Sequence, residues 1–441
     1  MLIKANALIT MTGSFLTPGL IRIEKNRIAE VGSNLSTLGE RIIQFSDPRR
    51  LTVIVPGLID CHCHLELSGL AGKIKLRKNQ SLINWLMKIL IYRPKRKQTQ
   101  DRWVKLGVKH CLAGGTTTVA DISANNRSWQ TLLYEPIRKI CFAEVLGLGR
   151  KADRAISSLQ NRMKTMPSER EGFWKGISPH APYSTDPKIY QEAIDLANRH
   201  EWRLMTHLAE DKAEDELIRH ARGPWRTILK TLGVWNNPSI KRHDRKGVNI
   251  EKSRDREGAG IIKEMSFKPT GLSPVAWAES LGILDQKILL AHVNYTDDHD
   301  IKILSKGQAS VVYCPLAHQY FHHPQHRYRQ MLDAGINVVL GSDSLACSPS
   351  LSILDQMRVL HQAGGLTPEM ILSMATIQAA KSLSLEHLIG TLETGKLADL
   401  IILSMDRKYA GDVFAGVFDS ASFLTAVMID GKFVLPKEAR P

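Results

Sequence analysis

Val55-Pro56-Gly57-Leu58-Ile59-Asp60-Cys61-His62-Cys63-His64 carries an apolar segment straight into two histidines one residue apart. The apolar part, Thr52–Ile59, reads as a buried strand that runs into the His62-Cys63-His64 end. In extended backbone, residues two apart face the same side. His62 and His64 are therefore expected to point together toward the sheet interior, with Cys61 and Cys63 facing the covering helices. Two imidazoles on one face begin a metal site, provided other strands bring further ligands.

Outward from this stretch the chain alternates strand, loop and helix. Further strand candidates are Thr116–Ala120, Ile140–Val145, Trp174–Ser178, Arg203–His207, Ile288–His292, Ala309–Cys314 and Asn337–Gly341, with helical stretches such as Ile189–His200 and Leu351–Ala363 between them. Eight strands alternating with helices predict a parallel α/β barrel of the (β/α)8 TIM type. Both ends of the chain read as β instead. Leu2–Thr10 and Leu20–Val31 lie near the N-terminus, and Ala398–Leu403 and Phe423–Leu435 near the C-terminus, the last broken by the turn pair Asp430-Gly431. Strands from the two termini are expected to pair into one small β domain.

A barrel of this type gathers its active site at the C-terminal ends of its strands. The polar residues at those ends are His62 and His64 after the first, His180 after the fourth, His207 and then Glu210 after the fifth, His292 at the sixth and Asp343 after the eighth. His62, His64, His207 and Asp343 are the expected ligands of one divalent ion, zinc first, with iron or manganese as alternatives. Glu66, His180 and His318 are candidate substrate contacts. His322, His323 and His326 are expected at the surface or in supporting positions.

The 441 residues suffice for one large barrel and a smaller companion. Six cysteines scattered through apolar segments suit reduced, buried thiols rather than a disulfide framework. No apolar run of eighteen residues and no secretory N-terminus are seen, so a cytoplasmic protein without a membrane span is expected. The formal net charge is +15, and between Lys73 and Lys109 the basic residues accumulate against a single acid, Asp101. Too few aromatics interleave there for a nucleic-acid surface, so a solvated helical face is the reading and no nucleic-acid partner is expected. Asn236–Lys263, dense in charge and glycine, reads as a surface insertion between the fifth and sixth strands.

Six stretches, in order along the chain, resemble the amidohydrolase superfamily, in its branch of cytosine/guanine/adenosine-type deaminases and chlorohydrolases. They are Val55–Ser68, Gly114-Gly115-Thr116-Thr117-Thr118, Thr206-His207-Leu208-Ala209-Glu210, Leu290-Ala291-His292-Val293, Gly341-Ser342-Asp343-Ser344-Leu345 and Ile389–Leu400. The resemblance implies a distorted (β/α)8 TIM barrel, residues 55–388, with a small β-sandwich built from residues 1–54 and 389–441. It also implies a site with one metal ion, His180 standing where a carboxylated lysine would signal two. Leu65-Glu66-Leu67-Ser68 and Ser178-Pro179-His180-Ala181-Pro182-Tyr183 are similar to the aminodeoxyfutalosine deaminase subgroup. Leu316 after Cys314-Pro315 departs from the pattern, where an Arg is usual, and so does Cys63, where Thr is more common.

The implied chemistry is hydrolytic displacement of an exocyclic amine from a purine nucleoside-like or other heterocyclic small molecule. Asp343 would accept the water proton, Glu210 would carry a proton to the ring nitrogen, and His292 would orient the attacking oxygen. A chlorohydrolase or cyclic-amide (imidazolonepropionase-like) hydrolase is the alternative on the same scaffold. A catalytically silent or nucleic-acid-binding protein is the alternative from another class. A homodimer is the default expectation for a soluble protein of this kind.

Overall fold

The computed structural model describes residues 1–435 apart from 14, 46, 76–80, 95, 125–126, 150 and 235–268. The basic stretch 236–263 lies outside the described residues. Eight parallel strands form one sheet in sequence order: β1 (Leu58–Cys63), β2 (Thr116–Ser123), β3 (Arg138–Val145), β4 (Phe173–Pro179), β5 (Arg203–Leu208), β6 (Ile288–His292), β7 (Ser310–Tyr313) and β8 (Val338–Leu340). The sheet curls until β8 meets β1. The seam closes just beyond the strands, where His64 N–H donates to the Asp343 carbonyl at 2.8 Å and Asp343 N–H to the His62 carbonyl at 2.9 Å. The predicted barrel is thus formed.

The period-2 pattern separates two apolar layers. Ile59, Phe142, Met205, Leu289, Val312 and Val339 fall in one buried cluster. Their strand neighbours Leu58, Cys141, Leu204, Leu290, Val311 and Leu340 join a second cluster with the helices. The helix Pro187–His200 shows why the intervening segments are helical. Asp186 caps it by accepting from Lys188 N–H, proline occupies the first turn, and Ile189, Tyr190, Ala193, Ile194 and Ala197 bury one face.

The predicted first strand is two strands. Arg50–Pro56 belongs to a terminal sheet, and β1 begins only at Leu58. The break falls at Gly57, where a Cβ would lie 2.2 Å from Thr117 Oγ1. Only a residue without a side chain lets the backbone pass there. Arg50–Pro56 pairs antiparallel with Leu400–Asp406, which pairs with Phe423–Ile429, so both chain ends share one sheet. Its residues alternate between two cores. Ile54, Leu400, Ile402 and Met428 face the N-terminal sheet of Leu2–Ala5, Gly19–Glu24, Arg27–Gly32 and Ile42–Gln44. Val53, Val55, Ile401, Leu403 and Val427 pack into the barrel's outer layer. The hairpin turn at Asp430-Gly431 has φ of 57° and 71°, the double left-handed conformation its sequence predicts.

All six cysteines are free and buried. Among the described residues no helix is long and apolar enough to cross a membrane. Lys97, Arg102, Lys105 and Lys109 of the basic region lie exposed along the helix Lys97–Ala113.

Barrel and terminal sheet are joined by a buried ion pair. The Arg138 guanidinium at the start of β3 forms a two-pronged contact with Asp399, with side chains only 4% and 2% exposed. Asp399 Oδ1 also accepts Asp430 N–H at 2.9 Å, which ties in the hairpin turn. Asp399→Ala is expected to lower stability by about 3 kcal/mol, because it removes the buried two-pronged partner of Arg138 and leaves only the half-exposed Asp430, at 3.2 Å. Denaturant unfolding measures this, and an unchanged midpoint would remove the pair from the list of what couples the two units.

Candidate metal centre

The strand ends bring five side chains to one point. The His62 ring centroid lies 5.0 Å from His64, 4.9 Å from His207 and 5.2 Å from His292. Ligand atoms of His62, His64 and Asp343 lie within 4.8 Å of one another, and so do those of His62, His207 and His292. His62 is common to both sets. Its Nε2 is buried with no hydrogen-bond partner, while Nδ1 lies 3.2 Å from Met205 Sδ. A buried imidazole nitrogen left unpaired is costly, and a divalent ion among these groups removes the cost. The donor set of imidazoles and one carboxylate fits such an ion.

Strict alternation does not by itself aim His62 and His64. The pairing of β1 with β2 shifts register between Asp60 and Cys63, so β1 accommodates an extra residue there. Asp60 holds this bulge, accepting His62 N–H at 3.2 Å and Ser342 N–H at 3.0 Å. Cys61 Sγ lies 3.7 Å from Ser382 Oγ on the helix Ile377–Ser382. Cys63 sits beside Cys111 of the helix Lys97–Ala113. Both thiols meet helices as predicted.

The strand ends themselves are strained. Ala209, His292, Val293 and Asp343 all have left-handed backbone, with φ of 50°, 74°, 50° and 62°. Such residues persist only where surrounding bonds fix them. Glu214 supplies two of these bonds, its carboxylate accepting the N–H groups of Ala209 and Glu210 at 2.9 Å each. His326 Nε2 donates to the His292 carbonyl at 2.8 Å, and Asn294 Nδ2 to the Glu210 carbonyl at 3.0 Å.

The protonation states suit metal binding. Burial and neighbouring imidazoles push His62, His64 and His292 well below the usual histidine range, and His207 down to about 4. Neutral imidazole is the ligating form. His207 Nδ1 lies 2.9 Å from the His180 carbonyl, which fixes the proton on Nδ1 and leaves Nε2 as the lone-pair donor. Glu210 behaves oppositely. Burial, then the nearby carboxylates of Asp343, Asp211 and Glu214, push its carboxyl well above the ordinary range. Tyr183 Oη donates to Glu210 Oε2 at 3.0 Å, and His292 Nε2 lies 3.6 Å from Oε1.

A cavity of ≈80 Å³ adjoins these groups, lined by His64, His180, His207, Glu210, His292 and Asp343 among others. Glu66 lines it too, paired with Arg93. His180 holds Ser184 Oγ at 2.6 Å through Nδ1. His318 is not brought to this cavity. Its Nδ1 lies 3.1 Å from Asn294 Oδ1 and its ring packs 5.7 Å from that of His326, so it meets the site through the two side chains that bond the Glu210 and His292 carbonyls. Leu316 is not among the residues lining this cavity, and its backbone N–H donates to Gln356 Oε1 at 2.9 Å. Sequence reasoning passed over Glu144, Arg93 and Tyr183, which all line the cavity. Glu144 is the penultimate residue of β3, close enough to its end for the strand-end rule to have found it.

The Amidohydrolase family matches residues 53–434 of this chain. A 5-methylthioadenosine/S-adenosylhomocysteine deaminase of Pyrococcus furiosus is 25% identical over 414 residues, spanning 88% of this chain and 83% of its own. Helicobacter pylori aminofutalosine deaminase, solved in complex with methylthio-coformycin, superposes with a TM-score of 0.79 at 19% identity over 98% of this chain and 100% of that one. Atrazine chlorohydrolase from Arthrobacter aurescens, complexed with zinc, gives 0.77 at 19% identity over 100% and 96%. The structural likeness establishes the shared barrel. The family match runs from the strand before His62 to the C-terminal hairpin, and the chain belongs to the amidohydrolase family.

Proposed function

We propose that this amidohydrolase is a metal-dependent deaminase that replaces the exocyclic amine of a purine nucleoside-like heterocycle with water-derived oxygen. The observation that carries the reading is a buried Glu210, its carboxyl pushed well above the ordinary range by burial, beside a convergent set of imidazoles and Asp343. Deaminase names among the relatives of similar length support it. His62, His64, His207 and Asp343 would hold one divalent ion, zinc by the precedent of the similar chlorohydrolase structure. Such an ion, when bound, acidifies water from a pKa of about 16 toward ~7.

The side chains divide the remaining work. Asp343 takes one proton from the attacking water. Glu210, whose carboxyl burial pushes well above the ordinary range, donates a proton to the ring nitrogen beside the attacked carbon, a contribution of roughly 10²–10⁴ in rate. His292, braced by His326, orients the attacking oxygen. As the carbon–nitrogen bond breaks, Asp343 returns its proton to the leaving amine, and the new hydroxyl proton passes to Glu210. The products are ammonia and the ring carbonyl. Glu66 and His180 would contact the substrate. Leaving-group identity separates this reading from its neighbour on the scaffold: chloride released in place of ammonia would move the enzyme to the chlorohydrolases.

His62→Ala is expected to lose bound metal, read by elemental analysis of the purified protein; stoichiometric metal in the variant would overturn the site. Glu210→Gln should keep metal and lose ammonia release by at least about 10²-fold, and full turnover would remove Glu210 from the mechanism. Tyr183→Phe tests the proton's holder. The tyrosine hydrogen bond favours the carboxylate form of Glu210, so its loss raises the Glu210 pKa. The basic limb of the kcat–pH profile should move to higher pH, and a downward shift would refute the assignment.

A further inference from the structure

We infer that Arg93, Glu66 and Glu144 form a recognition cluster for a neutral, hydroxyl-bearing (glycosyl-type) substituent of the substrate. The inference rests on the deaminase reading only for the identity of the reacting end. All three side chains line the same cavity as Glu210 and Asp343, and the proton transfers use none of them. Arg93 follows the helix Leu82–Tyr92 and pairs with Glu66. Glu66 Oε1 also takes Ala124 N–H at 3.4 Å. That leaves Arg93 Nε–H and Glu66 Oε2 buried with no hydrogen-bond partner, and the Glu66 side chain is 3% exposed. Glu144 adds a third group. Its Oε1 stands 3.9 Å from His180 Nε2, beyond hydrogen-bond reach, and among the described residues its carboxylate has no hydrogen bond.

The cavity thus presents an unmet donor and unmet acceptors. A hydroxyl satisfies both, since it accepts from Arg93 Nε–H and donates to a carboxylate. Charge selects against the other choices. Within the lining the cluster's two carboxylates face one guanidinium, so an anionic substituent meets net negative charge, and an ammonium group, which has no acceptor, leaves Arg93 Nε–H unmet. The cavity's ≈80 Å³ is below the roughly 300 Å³ at which ligand pockets begin, so a substrate enters by moving a wall. Arg93, at 24% side-chain exposure, is the most exposed of the three.

The test titrates adenosine and 2′,3′-dideoxyadenosine into metal-loaded full-length Glu210→Gln protein, and measures ammonia release separately on the Glu210 parent. Adenosine should bind at least about tenfold tighter than the dideoxy analogue. Arg93→Met and Glu144→Gln should each shrink that ratio toward one, while Arg93→Lys, which keeps the charge and loses the fork, should fall between. Thermal melts and metal content check that each variant is folded. Equal binding of both nucleosides, binding of neither, or equal weakening of both by Arg93→Met overturns the cluster. Hydroxyl-dependent binding without ammonia release supports the cluster and overturns the deaminase reading; ammonia release at equal affinity for both does the reverse.

Discussion

Four imidazoles and a carboxylate converge at the mouth of this barrel, most of them withdrawn from water, and that convergence constrains everything around it. The His62 ring is buried, and its Nε2 has no protein partner. The arrangement is unfavourable for a protein alone and favourable for one that binds a cation. It persists because the backbone beneath it is over-determined. Backbone hydrogen bonds of His62, His64 and Asp343 themselves close the barrel seam, so the barrel holds in place the segments that carry these side chains.

The same economy appears at the strand ends that carry Glu210 and His292. Left-handed backbone at Ala209 and His292 turns the chain sharply enough to aim Glu210 and His292 at one point. Glu214, His326 and Asn294 hold those turns through backbone hydrogen bonds. None of the three lines the cavity. They act on the chemistry through geometry, which is where a polar side chain in a buried position is best satisfied.

The terminal sheets extend this logic to the chain ends. One sheet is buried on both faces, against the N-terminal sheet on one side and the barrel's outer layer on the other. Its attachment is polar as well as apolar, through Arg138 and Asp399. The strand Arg50–Pro56 belongs to that sheet and leads through Gly57 directly into β1. The terminal sheet is therefore continuous in sequence with the strand that carries His62 and leads to His64.

What the sequence determined by itself was local. Apolar periodicity marked the strands and helices, Asp430-Gly431 marked its turn, and the strand-end rule singled out His62, His64, His207, Glu210, His292 and Asp343. Each depends on the residue type and its near neighbours along the chain. The tertiary structure decided what depends on contact across the sheet. An unbroken apolar run does not reveal that Thr52–Pro56 and Leu58–Cys63 serve two different sheets, because both are buried. Nothing local links Arg93 to Glu66 across 27 residues of chain. Their roles arise only when closure of the barrel sets them around one cavity, with burial making each unpaired polar atom count.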